Sequence, residues 1–268
     1  MFLTRKEIIT ELEKFNIPCG RPVIVHTSLK AIGEVEGGAE GLLSALVEYF
    51  TSCGGLLCIP THTWDILRLD LRKAESCTGV LSKIAAQHQD AVRSLHPTHS
   101  IVVFGDRERA KKFVEFEKKS DTPTNPDGCY GNFYREGGYV LLLGVDHTKN
   151  TFLHCVEENM NVLGRLTDKK IEAEIIFKDS SKEKRLLYWF DESKIPDVSL
   201  NFGKFERAFD FHGCIQRGKL GNAKTQLCDA QKMKSVMELI YKNAGGAEIL
   251  ADDLPLDEKL YKMQGRIK

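Results

Sequence analysis

The densest run of proton-handling side chains in this sequence is GVDHTKNTFLHCVEE, residues 144–158. Asp146 and His147 follow the apolar run YVLLLGV, and His154 and Glu157 stand three apart in a segment with helical character. That spacing puts two side chains on one helix face. A carboxylate beside an imidazole orients the ring and stabilises its charged form, so the pair is a candidate general base. Two other arrangements suit the same residues. His154 can pack half-buried with Glu157 and Glu158 solvated. Alternatively, His147, His154 and one glutamate can form a zinc set with an open position, the basis of a metal-dependent hydrolase. The zincin pattern H-E-x-x-H is absent and no two cysteines are spaced C-x-x-C, so the metal arrangement ranks last.

Three more segments carry polar chemistry. HTSLKAIGEVEGG, residues 26–38, follows an apolar strand with Thr27, Ser28 and then glycines, which suits either a phosphate cradle or an ordinary polar turn. It is neither G-x-G-x-x-G nor a P-loop. PTHTWD, residues 60–65, sets Thr61 and Thr63 on one side of an extended segment, and spacing alone favours a threonine-capped strand end with Trp64 packed in the core. RSLHPTHS, residues 93–100, gathers Arg93, His96, His99 and Ser100 around Pro97. His96 there serves proton transfer or merely bonds backbone carbonyls and organises the loop. Glu206 and Asp210, four apart, suit a cationic substrate or are simply solvated acids. No G-x-S-x-G nucleophile elbow is present.

The elements that must position these groups alternate. Residues 22–26, 56–60, 101–105 and 139–145 read as buried strands, and 38–52, 80–89, 107–116, 230–243 and the segment from 151 as helices. Residues 118–131 hold Pro123, Pro126, Gly128 and Gly131 and read as a loop. Residues 171–178 and 185–190 alternate around a polar turn and predict a hairpin. The expected fold is an α/β sandwich: a central, largely parallel or mixed sheet, helices on both faces, and an antiparallel hairpin in the C-terminal half. One domain over residues 1–268 is expected. Ligands in such sheets collect beyond the carboxyl ends of the strands, here at 26–30, 61–65 and 146–150.

Composition narrows the partners. Lys plus Arg number 38 against 38 Asp plus Glu, so the chain lacks the basic excess of a nucleic-acid binder. No apolar run approaches the roughly 18 residues of a membrane span, and the N-terminus reads as a charged amphipathic helix rather than a signal peptide. Eight scattered cysteines in a chain of this size suit free thiols, so a cytoplasmic protein without a membrane partner is expected.

In order along the chain, HTSLKAIGEVEGG, GGLLCIPTHTWD, RSLHPTHSIVVFG, GGYVLLLGVDHTKNTFLHCVEE and, more weakly, RGKLGNAKTQLCDAQK resemble the aminoglycoside 3-N-acetyltransferase family over about residues 20–240. The resemblance implies an acetyl-coenzyme A-dependent transfer to an amine, with no metal. It implies coenzyme contacts from His26, Thr27, Ser28, Leu29, Lys30 and Gly33. Thr61 and Thr63 would lie at the thioester end, and Ser100 is a further coenzyme contact. His154 and Glu157 match the family's L-H-x-x-E helix as base and orienter, and His96 would support the site. Asp146, His147 and Glu206 are the candidate acceptor contacts. Acceptor-side elements fall in 65–78 and 160–215, the match is poorest over 65–78 and after Lys182, and the even charge balance leaves the acceptor open between an aminoglycoside and another amino sugar. A coenzyme-binding protein without turnover fits the same scaffold.

Overall fold

In the computed structural model, which describes residues 2–73, 75–193, 195–262 and 265–266, the apolar runs become the inner strands of a sheet. The strands are β1 (Pro22–Thr27), β2 (Leu56–Pro60), β3 (Arg68–Asp70), β4 (Val92–Arg93), β5 (Ile101–Phe104), β6 (Tyr139–Leu143), β7 (Ile171–Ile176), β8 (Lys182–Leu187), β9 (Ile215–Leu220) and β10 (Ala223–Asp229). Seven form one sheet in the order β4-β5-β2-β1-β6-β10-β9. Only β2, β1 and β6 run parallel; the outer pairings are antiparallel, so the sheet is mixed.

Alternation along the strands divides the core in two. Val23, Val25, Leu57, Ile59, Leu141 and Leu143 face α1 (Arg5–Glu13), α2 (Leu29–Ile32), α3 (Gly38–Thr51) and α4 (Val80–Gln87). Ile24, Cys58, Val140 and Leu142 face the other layer. That layer holds α5 (Arg107–Glu115), α6 (Cys129–Arg135), α7 (Phe152–Asn159), α8 (Glu206–Phe211), α9 (Ala230–Ala244) and α10 (Lys259–Lys262). Sheet strands buried on both faces are continuous apolar runs, as YVLLL shows.

Several expectations are refined. The stretch expected as loop through residue 131 ends early, because α6 starts at Cys129; Gly131 lies inside it, where a Cβ would run into the Pro126 carbonyl. A second hairpin, β9–β10, turns at Gly221 and Asn222. The expected hairpin forms as β7–β8 and belongs to a separate sheet, β3-β7-β8. Its second strand covers Lys182–Leu187 rather than 185–190, which frees Trp189 and Phe190 for the site below. Among the described residues no helix is long and apolar enough to cross a membrane.

Candidate active site

A cavity of about 640 Å³ opens where β1 and β2 end, within the range of small-molecule sites. His26 and Thr27 come from the end of β1, His62 and Trp64 from the segment after β2, and His99 from the turn before β5. His154 enters from α7, and Trp189 and Phe190 close one side after β8. Trp64 is 45% exposed on this rim and not in the core, which corrects the packing expectation.

His154 is held by ring contacts and by one carboxylate. Its ring centroid lies 4.5 Å from Phe190 and 4.7 Å from Phe202. Nδ1 donates to Glu157 Oε2 at 3.4 Å, which leaves Nε2 as the lone-pair nitrogen. Glu157 is 1% exposed and is held by two further donors: Tyr241 Oη to Oε1 at 2.6 Å and Arg165 Nε to Oε2 at 3.2 Å. Burial pushes the carboxyl up, but the His154 hydrogen bond, the Arg165 guanidinium and the Tyr241 hydroxyl outweigh it and hold Glu157 below the usual carboxylate range. Glu158 turns the opposite way. It accepts from Thr124 N at 2.8 Å and Thr124 Oγ1 at 2.6 Å and from the Thr122 hydroxyl, pinning the loop before α6. Burial raises it to about 7. Both glutamates are buried, so the solvated arrangement is excluded.

Three more imidazoles line the cavity. His62 and His99 lie 4.6 Å apart, ring to ring, and burial holds both well below the usual histidine range. Tyr130 Oη meets His62 Nε2 at 2.9 Å, and Thr98 Oγ1 meets His99 Nδ1 at 3.0 Å. His26 is pushed down to about 3 by burial, with His147 adding repulsion. Its Nε2 and the Thr27 hydroxyl are sealed from solvent, with no hydrogen-bond partner among the described residues.

A family model for aminoglycoside 3-N-acetyltransferases matches residues 24–241. The chain belongs to that family. It is thereby an acyltransferase. It is similar to the SPbeta prophage-derived aminoglycoside N(3')-acetyltransferase-like protein YokD of Bacillus subtilis, 24% identical over 84% of this chain and 87% of that protein. Aminoglycoside N(3)-acetyltransferase III of Serratia marcescens is 28% identical over 87% of this chain and 94% of its own. Among solved structures, aminoglycoside acetyltransferase AAC(3)-IIb matches with a TM-score of 0.74 at 26% identity, over 92% of this chain and 99% of that one. AAC-IIIb in its binary complex with CoASH has the same fold, with a TM-score of 0.73 at 20% identity over 88% and 94%.

Within this aminoglycoside 3-N-acetyltransferase member, the expected site residues separate into two sets. His26, Thr27 and His154 line the cavity. Ser28 instead caps α2, its Oγ accepting from Ala31 N at 3.4 Å; Leu29 is packed beside the core, Lys30 is exposed, and Gly33 adopts a φ of 95°. Thr61 and Thr63 point away from the cavity and donate to the Ser100 and Pro97 carbonyls at 3.1 and 2.9 Å. Ser100 Oγ donates to the Thr61 carbonyl at 2.9 Å. His96 lies behind His99: its Nε2 donates to Thr122 O at 3.0 Å and its Nδ1 accepts from His99 N at 2.9 Å. Asp146 is exposed and caps the following turn through Thr148 N at 2.9 Å. Glu206 pairs with Arg217 at 2.7 Å. His147 is buried against Phe209, 5.0 Å between rings, with Nδ1 on Asn150. His147 therefore does not join His154 and a glutamate, and the described residues contain no group of three histidine, cysteine or acidic side chains arranged to hold a metal ion. The hydrolase alternative lacks its ligand set.

Sequence reasoning missed His62, Arg165 and Tyr241. The signal for His62 was available: strand alternation that turns Thr61 and Thr63 one way turns His62 the other. Arg165 and Tyr241 reach Glu157 from other segments, and nothing local announces them.

Proposed function

We propose that this acyltransferase moves the acetyl group of acetyl-coenzyme A to an amine of an aminoglycoside or related amino sugar, with His154 as general base and Glu157 as its orienter. The observation that carries this reading is the His154–Glu157 pair on the cavity wall, with Tyr241 holding the other Glu157 oxygen and Arg165 sharing the one that His154 meets. An ammonium has no lone pair, so the acceptor reacts as the free amine. As its nitrogen attacks the thioester carbonyl, His154 Nε2 takes a proton from it. The new C–N bond forms, the C–S bond breaks, and the imidazolium returns the proton to the departing thiolate. Glu157, ionised beside the ring, stabilises the imidazolium while it exists.

The same cavity suits both reactants. His26 and Thr27, at the end of β1, form the wall along which the pantetheine arm would lie. Lys30 and Lys149, both exposed, are cations for the coenzyme's phosphates. Glu192 and Asp197, exposed carboxylates in the cavity lining, are the acids for a cationic acceptor, and Trp64 and Trp189 offer faces for a sugar ring. The test is thiol release from acetyl-coenzyme A with a panel of aminoglycosides, amino sugars and simple amines, alongside calorimetry with coenzyme A. Amine-dependent thiol release is expected. Coenzyme binding without release for any amine would refute transfer and leave a binding protein.

A further inference from the structure

His62 and His99 have hydrogen-bonding capacity that the dyad chemistry does not use, and their tautomers follow from the network. Tyr130 is fully buried, and the only hydrogen-bond partner of its hydroxyl among the described residues is His62 Nε2, at 2.9 Å. A buried phenol left without an acceptor is costly, so Tyr130 donates and His62 carries its hydrogen on Nδ1. His96 Nε2 donates to the Thr122 carbonyl, so His96 Nδ1 is an acceptor, already filled by the backbone N–H groups of Thr98 and His99. The Thr98 hydroxyl lies 3.2 Å from that filled His96 Nδ1 and 3.0 Å from His99 Nδ1, so it donates to His99, which carries its hydrogen on Nε2. Among the described residues no hydrogen bond is made by His62 Nδ1 or His99 Nε2, and both residues line the cavity. The Phe190 ring touches both sides of the site, 5.8 Å from His99 and 4.5 Å from His154.

We propose that His62, with His99 beside it, donates the hydrogen bonds that stabilise the oxyanion formed when the thioester carbonyl is attacked. This rests on the acetyl-transfer reading above. When the C–N bond forms, the carbonyl π pair moves onto oxygen, and the imidazole N–H groups accept that developing charge without giving up a proton. When the pair returns, the C–S bond breaks and the thiolate leaves. A neutral imidazole suits this role, since it donates yet does not protonate the oxygen. The Thr61 and Thr63 hydroxyls do not compete, being committed to backbone carbonyls. Tyr130 acts as a positioning residue that sets the His62 tautomer.

The experiment measures two rates on the full chain: thiol release with an amine acceptor, and acceptor-independent hydrolysis of acetyl-coenzyme A. Coenzyme binding is followed by calorimetry. His62→Leu is expected to lower both rates by about 10²–10³-fold, the loss typical of one missing oxyanion donor, with coenzyme affinity unchanged. His62→Asn, whose amide N–H stands where Nδ1 does, is expected to recover most of that loss. Tyr130→Phe is expected to lower kcat while leaving both KM values in place. A His62→Leu enzyme with unchanged hydrolysis and a raised acceptor KM would overturn the proposal, assigning the pair to acceptor recognition. A Thr27→Val enzyme that loses both rates while His62→Leu keeps them would overturn it in favour of the Thr27 hydroxyl. If the wild-type chain releases no thiol with any amine, the acetyl-transfer reading fails and takes this proposal with it.

Discussion

Tyr241 donates a 2.6 Å hydrogen bond to Glu157 Oε1 across 84 residues of sequence, so α9 anchors the carboxylate that orients His154 on α7. Without that hydroxyl, Oε1 would be buried and unpartnered, and the ionised form of Glu157 would lose part of what holds it below the usual carboxylate range. Tyr241→Phe is expected to lower kcat by about 10- to 150-fold, the full loss of one charge-assisted hydrogen bond of about 1.5–3 kcal/mol. The acid limb of its kcat–pH profile moves to higher pH. An unshifted limb would show that Tyr241 only packs.

On the proposed reaction, His154→Ala removes the proton acceptor and leaves the proposed coenzyme contacts in place. Thiol-release kinetics should show kcat reduced by about 10²–10⁴-fold. Calorimetry should return a coenzyme A affinity within about twofold of the parent. Equal losses in both would mean that the ring is a binding wall rather than a base.

The buried imidazoles make the fold acid-sensitive. His26 and His147 are pushed down to about 3 and about 4, chiefly by burial, and His62 and His99 also lie below the usual value. A histidine depressed in the folded state contributes stability that is present above its unfolded value of about 6.5 and is lost as pH falls toward the folded value. Thermal melts from pH 7.5 to 4.5 should show a Tm that drops below pH 6.5. Each such proton steepens the slope by up to about 1.4 kcal/mol per pH unit. His147→Gln should flatten it, and a parallel pH curve would exclude His147 from the effect.

Glu158 has the opposite sign. Its carboxyl is raised by burial to about 7, so its contribution is complete below about 4.5 and is lost as pH rises through 7. The Tm advantage of the parent over Glu158→Gln should therefore shrink between pH 5 and pH 8. An advantage that grows over that range would contradict the assignment.

Acidic residues near the site are expected to divide by location. Glu206 is spent on Arg217 and Gln226, 2.7 and 3.1 Å away. Glu206→Ala should leave the acceptor KM within about twofold, because a rim ion pair contributes about 0–1 kcal/mol. Glu192→Ala and Asp197→Ala, on cavity-lining positions, should each raise it several-fold for a multiply charged acceptor. Steady-state kinetics with one polyamine-bearing and one monoamine acceptor separates the cases.

Much of the frame was legible because its cause is local. YVLLL is apolar without alternation, since β6 is buried on both faces, and the helix over 230–244 shows its stripe and its closing Gly245. The β9–β10 hairpin was not legible: the middle of β9 is exposed, so IQRGKL carries no inside-outside signal. The i, i+3 spacing gave the His154–Glu157 pair directly. It could not give Arg165 or Tyr241, which meet Glu157 only after tertiary packing, nor show that His147 turns toward Phe209 instead of the cavity. The threonines of PTHTWD drew attention as donors, while the geometry spends them on the 93–100 turn.

The β3-β7-β8 sheet pairs with itself and not with the seven-stranded one, yet the chain leaving β8 supplies Trp189 and Phe190. One wall of the cavity thus hangs from a small separate sheet, while α7, which carries His154, packs in the layer beneath the seven-stranded one. On the proposed reaction, grafting a relative's β3 and β7–β8 segments is expected to redirect acceptor choice without rebuilding the chemistry beneath them.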